Sequence, residues 1–358
     1  MPPTLYLLVA LVSMLFAAPV PALGNAANSA REALAEGEAE EAFRTYLALA
    51  EQGDPVAQNN VGVLYLKGRG TAPDPVAARG WFERAADAGL PGAMHNLGVL
   101  FLRGHGTPSD PAMALKWLEQ AAALGDRDAQ FYAAMICFKG EGIAQDLPRA
   151  RQWFTRAADQ GSPAATLNLA LMQLHGQGGN VDEAQALEYL GRIAPDSEDA
   201  RLLIAEIHLQ HAAGDPARAA LALSGLKTLA EAGNPDAQLQ LGRMLVQGHG
   251  VLPDLEEGRF WLEQSARAGL PPAQAALGEL YAGGVGVQVD EITAAAWLSL
   301  AVANGETAAT PGLDGVKAAL TPDELRKVDA LVAELRALHP SPTAATPTGK
   351  SDQAPGKP

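Results

Sequence analysis

The five tryptophans of this chain, Trp81, Trp117, Trp153, Trp261 and Trp297, stand 36, 36, 108 and 36 residues apart, and 108 is three periods of 36. A fixed period of this length restricts the fold to an array in which one small unit repeats and each copy buries its apolar face on the next. With units counted from Ala57, Ala93, Ala129, Ala165, Arg201, Ala237 and Ala273, other positions keep the same spacing. Five residues on stand Gly62, Gly98, Gly242 and Gly278, with Ala134, Ala170 and Glu206 in the remaining units. Eleven and thirteen on stand glycine pairs such as Gly104 and Gly106, and seventeen on stand Asp74, Asp110, Asp146, Asp182, Asp254 and Asp290. The fourth and fifth units replace Trp by Tyr189 and Gly225, yet their length holds.

Each recurrent position has a physical task. Ala93 to Leu102 spaces its apolar residues at helical intervals, which predicts a first helix, A. Gly98 has no Cβ and lets a neighbouring helix approach. Of Gly104 and Gly106, one supplies the positive φ that ends a helix and the other lets the chain turn. Asp110-Pro111 is a helix start, with Asp accepting backbone N–H bonds and Pro fitting the first turn. Helix B then runs to Ala123, Trp117 points into the joint between helices, Ala121 and Ala122 keep the next turn small, and Gly125 stops it. On this reading a fully buried Trp lost to Ala costs about 3–5 kcal/mol.

The array predicted by this period spans residues 57–306. Ala42 to Asp54 looks like a helix B ending at Gly53, so an N-terminal hairpin is expected over 25–56. A terminal unit leaves one apolar face bare. Thr321-Pro322-Asp323-Glu324 is a capping box, and Leu325, Val328, Leu331, Val332 and Leu335 form one apolar stripe behind it. A closing cap is therefore expected over 307–339, with its helix over 321–338. The alternative is a free amphipathic helix that binds something. The tail, 340–358, lacks apolar periodicity and reads as disordered.

Leu5 to Ala18 is apolar except for Ser13 and is followed by Pro19, Ala22 and Gly24, the pattern of a signal peptide over 1–24. The segment before it has no Lys or Arg, so an uncleaved N-terminal anchor is the other reading. Either way the chain is expected to be exported, as a periplasmic, secreted or N-terminally membrane-anchored protein. No cysteine follows the segment, which excludes lipid attachment there.

A net charge of −15 argues against nucleic acid, because binding a phosphate backbone needs a basic surface. The single cysteine, Cys137, excludes an internal disulfide and a cysteine-cluster metal site. His105 and His249 sit between paired glycines where other units carry Arg69, Glu141, Gln177 or Val285, so they read as solvated loop tips. His208 and His211 could share a metal, but no third ligand accompanies them. The sequence has no metalloprotease, nucleophile-elbow or phosphate-loop motif, and its carboxylates are dispersed. No catalytic residue, cofactor or metal is expected, and the chain reads as a non-enzyme.

The run Asn96-Leu97-Gly98-Val99-Leu100-Phe101-Leu102-Arg103-Gly104-His105-Gly106, followed by Asp110, Ala114, Lys116-Trp117-Leu118, Ala121-Ala122 and Gly125, resembles the Sel1-like repeat family. That family is a tetratricopeptide-related helical hairpin with a longer inter-helix loop. The resemblance implies an all-α fold: a right-handed α/α superhelical solenoid of about seven repeats, with the N-terminal hairpin and the C-terminal capping helix at its ends. Units four and five are degenerate, and unit five uses Asp215-Pro216 as a displaced cap. Some bacterial members carry a cysteine pair in each repeat; this chain does not.

The same resemblance implies a concave wall made of the A helices, with side chains two, six, nine and ten residues after each unit start facing a partner. These are Asn59, Val63, Leu66 and Lys67; His95, Val99, Leu102 and Arg103; Phe131, Met135, Phe138 and Lys139; Leu167, Leu171, Leu174 and His175; and, more polar, Arg243, Gln247 and Glu279. Phe and Met grip variable apolar side chains, and Asn60, Asn96 and Asn168 could bond an extended backbone, although packing between hairpins explains the same residues. The function expected is an exported interaction scaffold that binds a protein or peptide segment, in envelope signalling or assembly. Alternatives are a secreted or surface factor that engages another cell, and a cell-wall-linked hydrolase or binding protein. Membrane contact is expected only through an uncleaved N-terminal segment.

Overall fold

The computed structural model describes residues 20–338, with side chains from Asn25 onward. The expected signal run, Leu5 to Ala18, and the tail 340–358 lie outside the described residues. Among the described residues all regular structure is helical. None of these helices is long and apolar enough to cross a membrane.

The chain divides into two compact units, residues 1–189 and 190–358. The first contains α1 (Val20–Glu36), α2 (Ala39–Glu51), α3 (Pro55–Lys67), α4 (Pro75–Asp87), α5 (Pro91–Arg103), α6 (Pro111–Ala123), α7 (Arg127–Lys139), α8 (Leu147–Asp159), α9 (Pro163–Leu174) and the start of α10 (Glu183–Ile193). The second takes the end of α10, then α11 (Glu198–Gln210), α12 (Pro216–Glu231), α13 (Pro235–Gln247), α14 (Leu255–Arg267), α15 (Pro271–Gly283) and α16 (Glu291–Ala303). A 3-10 turn (Thr307–Ala309), α17 (Thr310–Ala319) and α18 (Pro322–Leu338) complete it. The expected N-terminal hairpin is α1 and α2, with α1 opening at Val20. The periodic region is a run of alternating A and B helices from α3 to α16, paired as helical hairpins in each unit.

Local chemistry sets the helix boundaries. Asp74, Asp110, Asp146, Asp254 and Asp290 each accept backbone N–H bonds from the first turn of a B helix. Asp215 does the same for Ala217 and Arg218, the displaced cap of the fifth unit. Thr321 and Glu324 close their capping box, with the Thr321 amide donating to Glu324 Oε2 at 2.8 Å. The stripe behind it packs: Val328 is 1% exposed, and Leu331, Val332 and Leu335 lie against the core around α16.

Gly104 and Gly106 both take positive φ, 71° and 69°, where the sequence reading asked for only one. Gly104 ends α5, and a Cβ on Gly106 would stand 2.7 Å from the carbonyl carbon of Pro75, at the start of the preceding B helix. The second glycine therefore serves both the turn and the stacking of loop on hairpin.

Four of the five tryptophans sit elsewhere than expected. Trp81, Trp117, Trp153 and Trp261 are half-buried, and Trp297 alone of the five is buried. The residue after each one fills the joint: Phe82, Leu118, Phe154, Leu262 and Leu298 are all 2% exposed or less. In α4 the inward stripe is Ala78, Phe82, Ala85 and Ala86, all buried. One residue earlier is about 100° round the helix, so Trp81 lies on the flank, under the Arg84 guanidinium at 4.4 Å. Trp153 is covered likewise by Arg156 at 4.5 Å, and its Nε1 donates to Glu119 Oε1 at 3.0 Å.

Candidate functional site

In the first unit the A helices are knit side by side through polar and aromatic contacts. Asn96 Nδ2 donates to Asn59 Oδ1 at 2.8 Å, joining α5 to α3. His95 Nδ1 lies 3.2 Å from Asp126 Oδ1, and its ring meets Tyr132 edge-on at 5.6 Å, joining α5 to α7. Asn168 Nδ2 bonds the Ala164 carbonyl within its own helix. Asn96 and Asn168 are thus engaged in structural bonds.

Burial pushes Asp126 up, but the hydrogen bonds from His95 and from the Ala129 amide outweigh it and hold the carboxyl below its ordinary range.

The expected partner-facing residues fall into three groups. Phe131 and Phe138 turn toward the core, with ring centres 5.9 and 6.4 Å from Phe154. Val63 and Met135 rest on the core with one side and leave the other open, and Val99 and Leu167 are half-buried too. Leu171 is exposed. Lys67, Arg103 and Lys139 end their A helices and are exposed, and His175 caps α9 and is exposed. A cation in the last turn also suits the negative end of the helix dipole. The outward strip of the first compact unit, residues 1–189, is therefore Val63, Val99, Met135 and Leu171 beside a row of cations, with Asn59 and His95 bonded into its floor.

In the second unit three expected residues come together. Arg243, Gln247 and Glu279 line one open cavity of about 470 Å³ between α13 and α15, with Val246, Leu262, Ala276, Leu280 and Val285 as its apolar walls.

Elsewhere the chemistry is quiet. Cys137 is fully buried, and burial pushes its thiol up to about 11, so it stays protonated at neutral pH. His105 and His249 are exposed loop residues. His208 lies in the last turn of α11 and His211 caps it. No group of three or more His, Cys, Asp or Glu among the described residues is placed to hold a metal.

The family model described as "Sel1 repeat" matches residues 55–90, 91–126, 127–162, 163–194, 235–270 and 271–306, more than half of the chain. The chain belongs to the Sel1 repeat family.

The unmatched stretch within this Sel1 array is the fifth unit, where Gly225 replaces Trp and the glycine loop is missing. Among solved structures, a Sel1 repeat protein from Oxalobacter formigenes is 31% identical with a TM-score of 0.60, over 82% of this chain and 87% of that one. The c5321 protective antigen of uropathogenic Escherichia coli, described as displaying an SLR fold, is 25% identical with a TM-score of 0.52, over 94% of this chain and 81% of that one. No curated protein matches the chain. Sel1 repeat proteins generally mediate protein–protein interactions as scaffolds.

The Sel1 units also carry a clasp that the sequence reading missed. Gln58, Gln130, Gln238 and Gln274, one residue after the unit start, are buried. Each donates from Nε2 to a carbonyl at the end of the preceding B helix: Ala50 at 3.2 Å, Ala122 at 3.1 Å, Ala230 at 3.1 Å and Ala266 at 3.2 Å. Each of these carbonyls also accepts the amide of the glycine that ends the helix, Gly53, Gly125, Gly233 or Gly269, so the glutamine adds a second bond at a helix end that has lost its intrahelical donors. Recurrence of a polar residue on an apolar stripe was the available signal.

Proposed function

We propose that this Sel1 protein is an exported, non-enzymatic scaffold that holds a protein or peptide segment against the outward strip of its A helices. The observation that carries this reading is the division of labour in the first unit. Phe82, Leu118 and Phe154 fill the joints, whereas Val63, Val99 and Met135 keep one side open beside Lys67, Arg103 and Lys139. Half-exposed apolar side chains rimmed by charge suit a partner that contributes apolar anchors. The apolar run Leu5 to Ala18, with small residues after it, supports export.

The test uses the full chain with Val99→Glu or Met135→Glu, checked for unchanged helicity and unfolding midpoint. Phe131 is unsuitable, since its ring packs on Phe154. Wild type should retain a specific envelope protein that both variants lose. Retention by both folded variants overturns the strip as the docking face.

A second reading is a secreted or surface factor that engages another cell. It is favoured by the likeness to the c5321 protective antigen. Fractionation separates the two: retention in the periplasm supports the scaffold, and release to the medium supports the second reading.

A further inference from the structure

The cavity in the second unit has an unusual charge arrangement. Its floor is apolar, with Leu262 and Leu280 buried and Val246 and Ala276 half-buried. Arg243 and Glu279 both border it, yet among the described residues neither has an ion-pair or hydrogen-bond partner. The arginines of the adjacent α14 behave differently: Arg259 pairs with Glu263 at 3.5 Å, and Arg267 pairs with the same carboxylate. Two opposite charges thus border one cavity with an apolar floor and form no ion pair with each other. Gln247 adds an amide at the rim.

A ligand that satisfies all of these groups needs a carboxylate, an aliphatic group close to it, and a cation a short distance away. Within an extended chain, neighbouring side chains point to opposite faces, and same-face residues are about 7 Å apart. An internal Asp or Glu places its carboxylate on the face opposite its aliphatic neighbour, or about 7 Å from the next aliphatic side chain on its own face. A C-terminal residue brings the two closest, because its α-carboxylate is one bond from the carbon that bears its own side chain. A cavity of about 470 Å³ has room for such a residue and part of the one before it.

The geometry points to a site for the free C-terminus of a protein segment. An aliphatic last residue enters between Val246, Leu262 and Leu280, its carboxylate meets Arg243, and a basic side chain just upstream meets Glu279. This rests on the scaffold reading above and adds a second, chemically defined anchor to it. A bidentate guanidinium–carboxylate contact is the strong form of charge-assisted hydrogen bond, so it carries the discrimination.

The experiment is fluorescence anisotropy on the full chain with the N-terminally labelled peptide Gly-Ser-Lys-Ala-Leu, as the free acid and as the C-terminal amide. We expect saturable binding of the acid and at least tenfold weaker binding of the amide. Arg243→Ala should remove the difference between acid and amide, and Arg243→Lys should restore part of it. Glu279→Gln should weaken the Lys-containing acid several-fold and leave a Ser-for-Lys version unchanged. Equal binding of acid and amide, unchanged binding by folded Arg243→Ala, or no saturable binding overturns the site. Failure here with Met135→Glu still losing its partner removes only this anchor. Failure of both removes the scaffold reading as well.

Discussion

Leu118 presses on Gly98 so closely that a Cβ on the glycine would stand 2.4 Å from Leu118 Cγ. The same contact joins Gly62 to Phe82, Gly242 to Leu262 and Gly278 to Leu298. The glycine is there for distance, since helix B can close on helix A only where no side chain intervenes. Gly98→Ala should destabilise by about 1–3 kcal/mol through overpacking, although alanine is the better helix former. Leu118→Ala should cost about 2–5 kcal/mol. The double variant should be more stable than the sum of the two losses implies, because the small residue then makes room for the new methyl. Urea denaturation of the four proteins checks this, and strict additivity counts against the contact.

Phe154→Ala should be more damaging than Trp117→Ala, although tryptophan is the larger residue. Phe154 is fully buried and touched by Phe131 and Phe138, whereas Trp117 keeps part of its ring in water. We expect a loss of about 3–5 kcal/mol for Phe154→Ala and a smaller one for Trp117→Ala. Thermal midpoints of the two variants settle the order.

Gln130→Leu should cost about 0.5–1.5 kcal/mol, the loss of one buried hydrogen bond, because the Ala122 carbonyl loses the Gln130 donor and keeps the Gly125 amide at 3.1 Å. Gln160 Nε2, which donates to Gln130 Oε1 at 2.8 Å, loses its acceptor as well. Met94 occupies the matching position in the second 36-residue repeat with no such bond, so the equivalent Met94→Leu should cost less than about 1.5 kcal/mol, as volume-conserving swaps do. Comparing the denaturation midpoints of Gln130→Leu and Met94→Leu isolates the clasp from the burial.

Asp126 links α5 to α7, and its carboxyl is held below its ordinary range. A group whose folded pKa is depressed stabilises the fold above its unfolded value, near 3.9, and loses that contribution as pH falls through the folded value. Stability from this residue should therefore be complete at neutral pH and disappear below about pH 4. Asp126→Asn should be less stable than wild type at neutral pH, and the gap should narrow on acidification. Urea midpoints at neutral and acid pH read this directly, and a gap that widens in acid contradicts it.

The repeat was legible because packing against an identical neighbour imposes one spacing on every residue that takes part. Asp110-Pro111 and the Thr321–Glu324 box are local devices, whose partners lie within three residues. The tryptophan misreading shows the limit of a period: it fixes register without saying which of two adjacent residues faces inward, and Phe82 took the place given to Trp81. The glutamine clasp depended on a carbonyl of the preceding helix, which no motif marks. The proposed partner surface was legible only in part. Phe131 was drawn into the core by Phe154, whereas Arg243, Gln247 and Glu279 converged as spaced. Their apolar wall, with Leu262 and Val285, comes from other elements that only folding brings together.

The most direct test of the docking strip is site-specific photocrosslinking in cells, with a photoreactive side chain placed at Val99 on α5 or at Lys116 on α6. Both sites are on the same hairpin, so folding is matched. Crosslinks to one discrete protein from Val99 and none from Lys116 are the expected result. Crosslinks from Lys116 with none from Val99 would put the partner on the opposite helix and contradict the account.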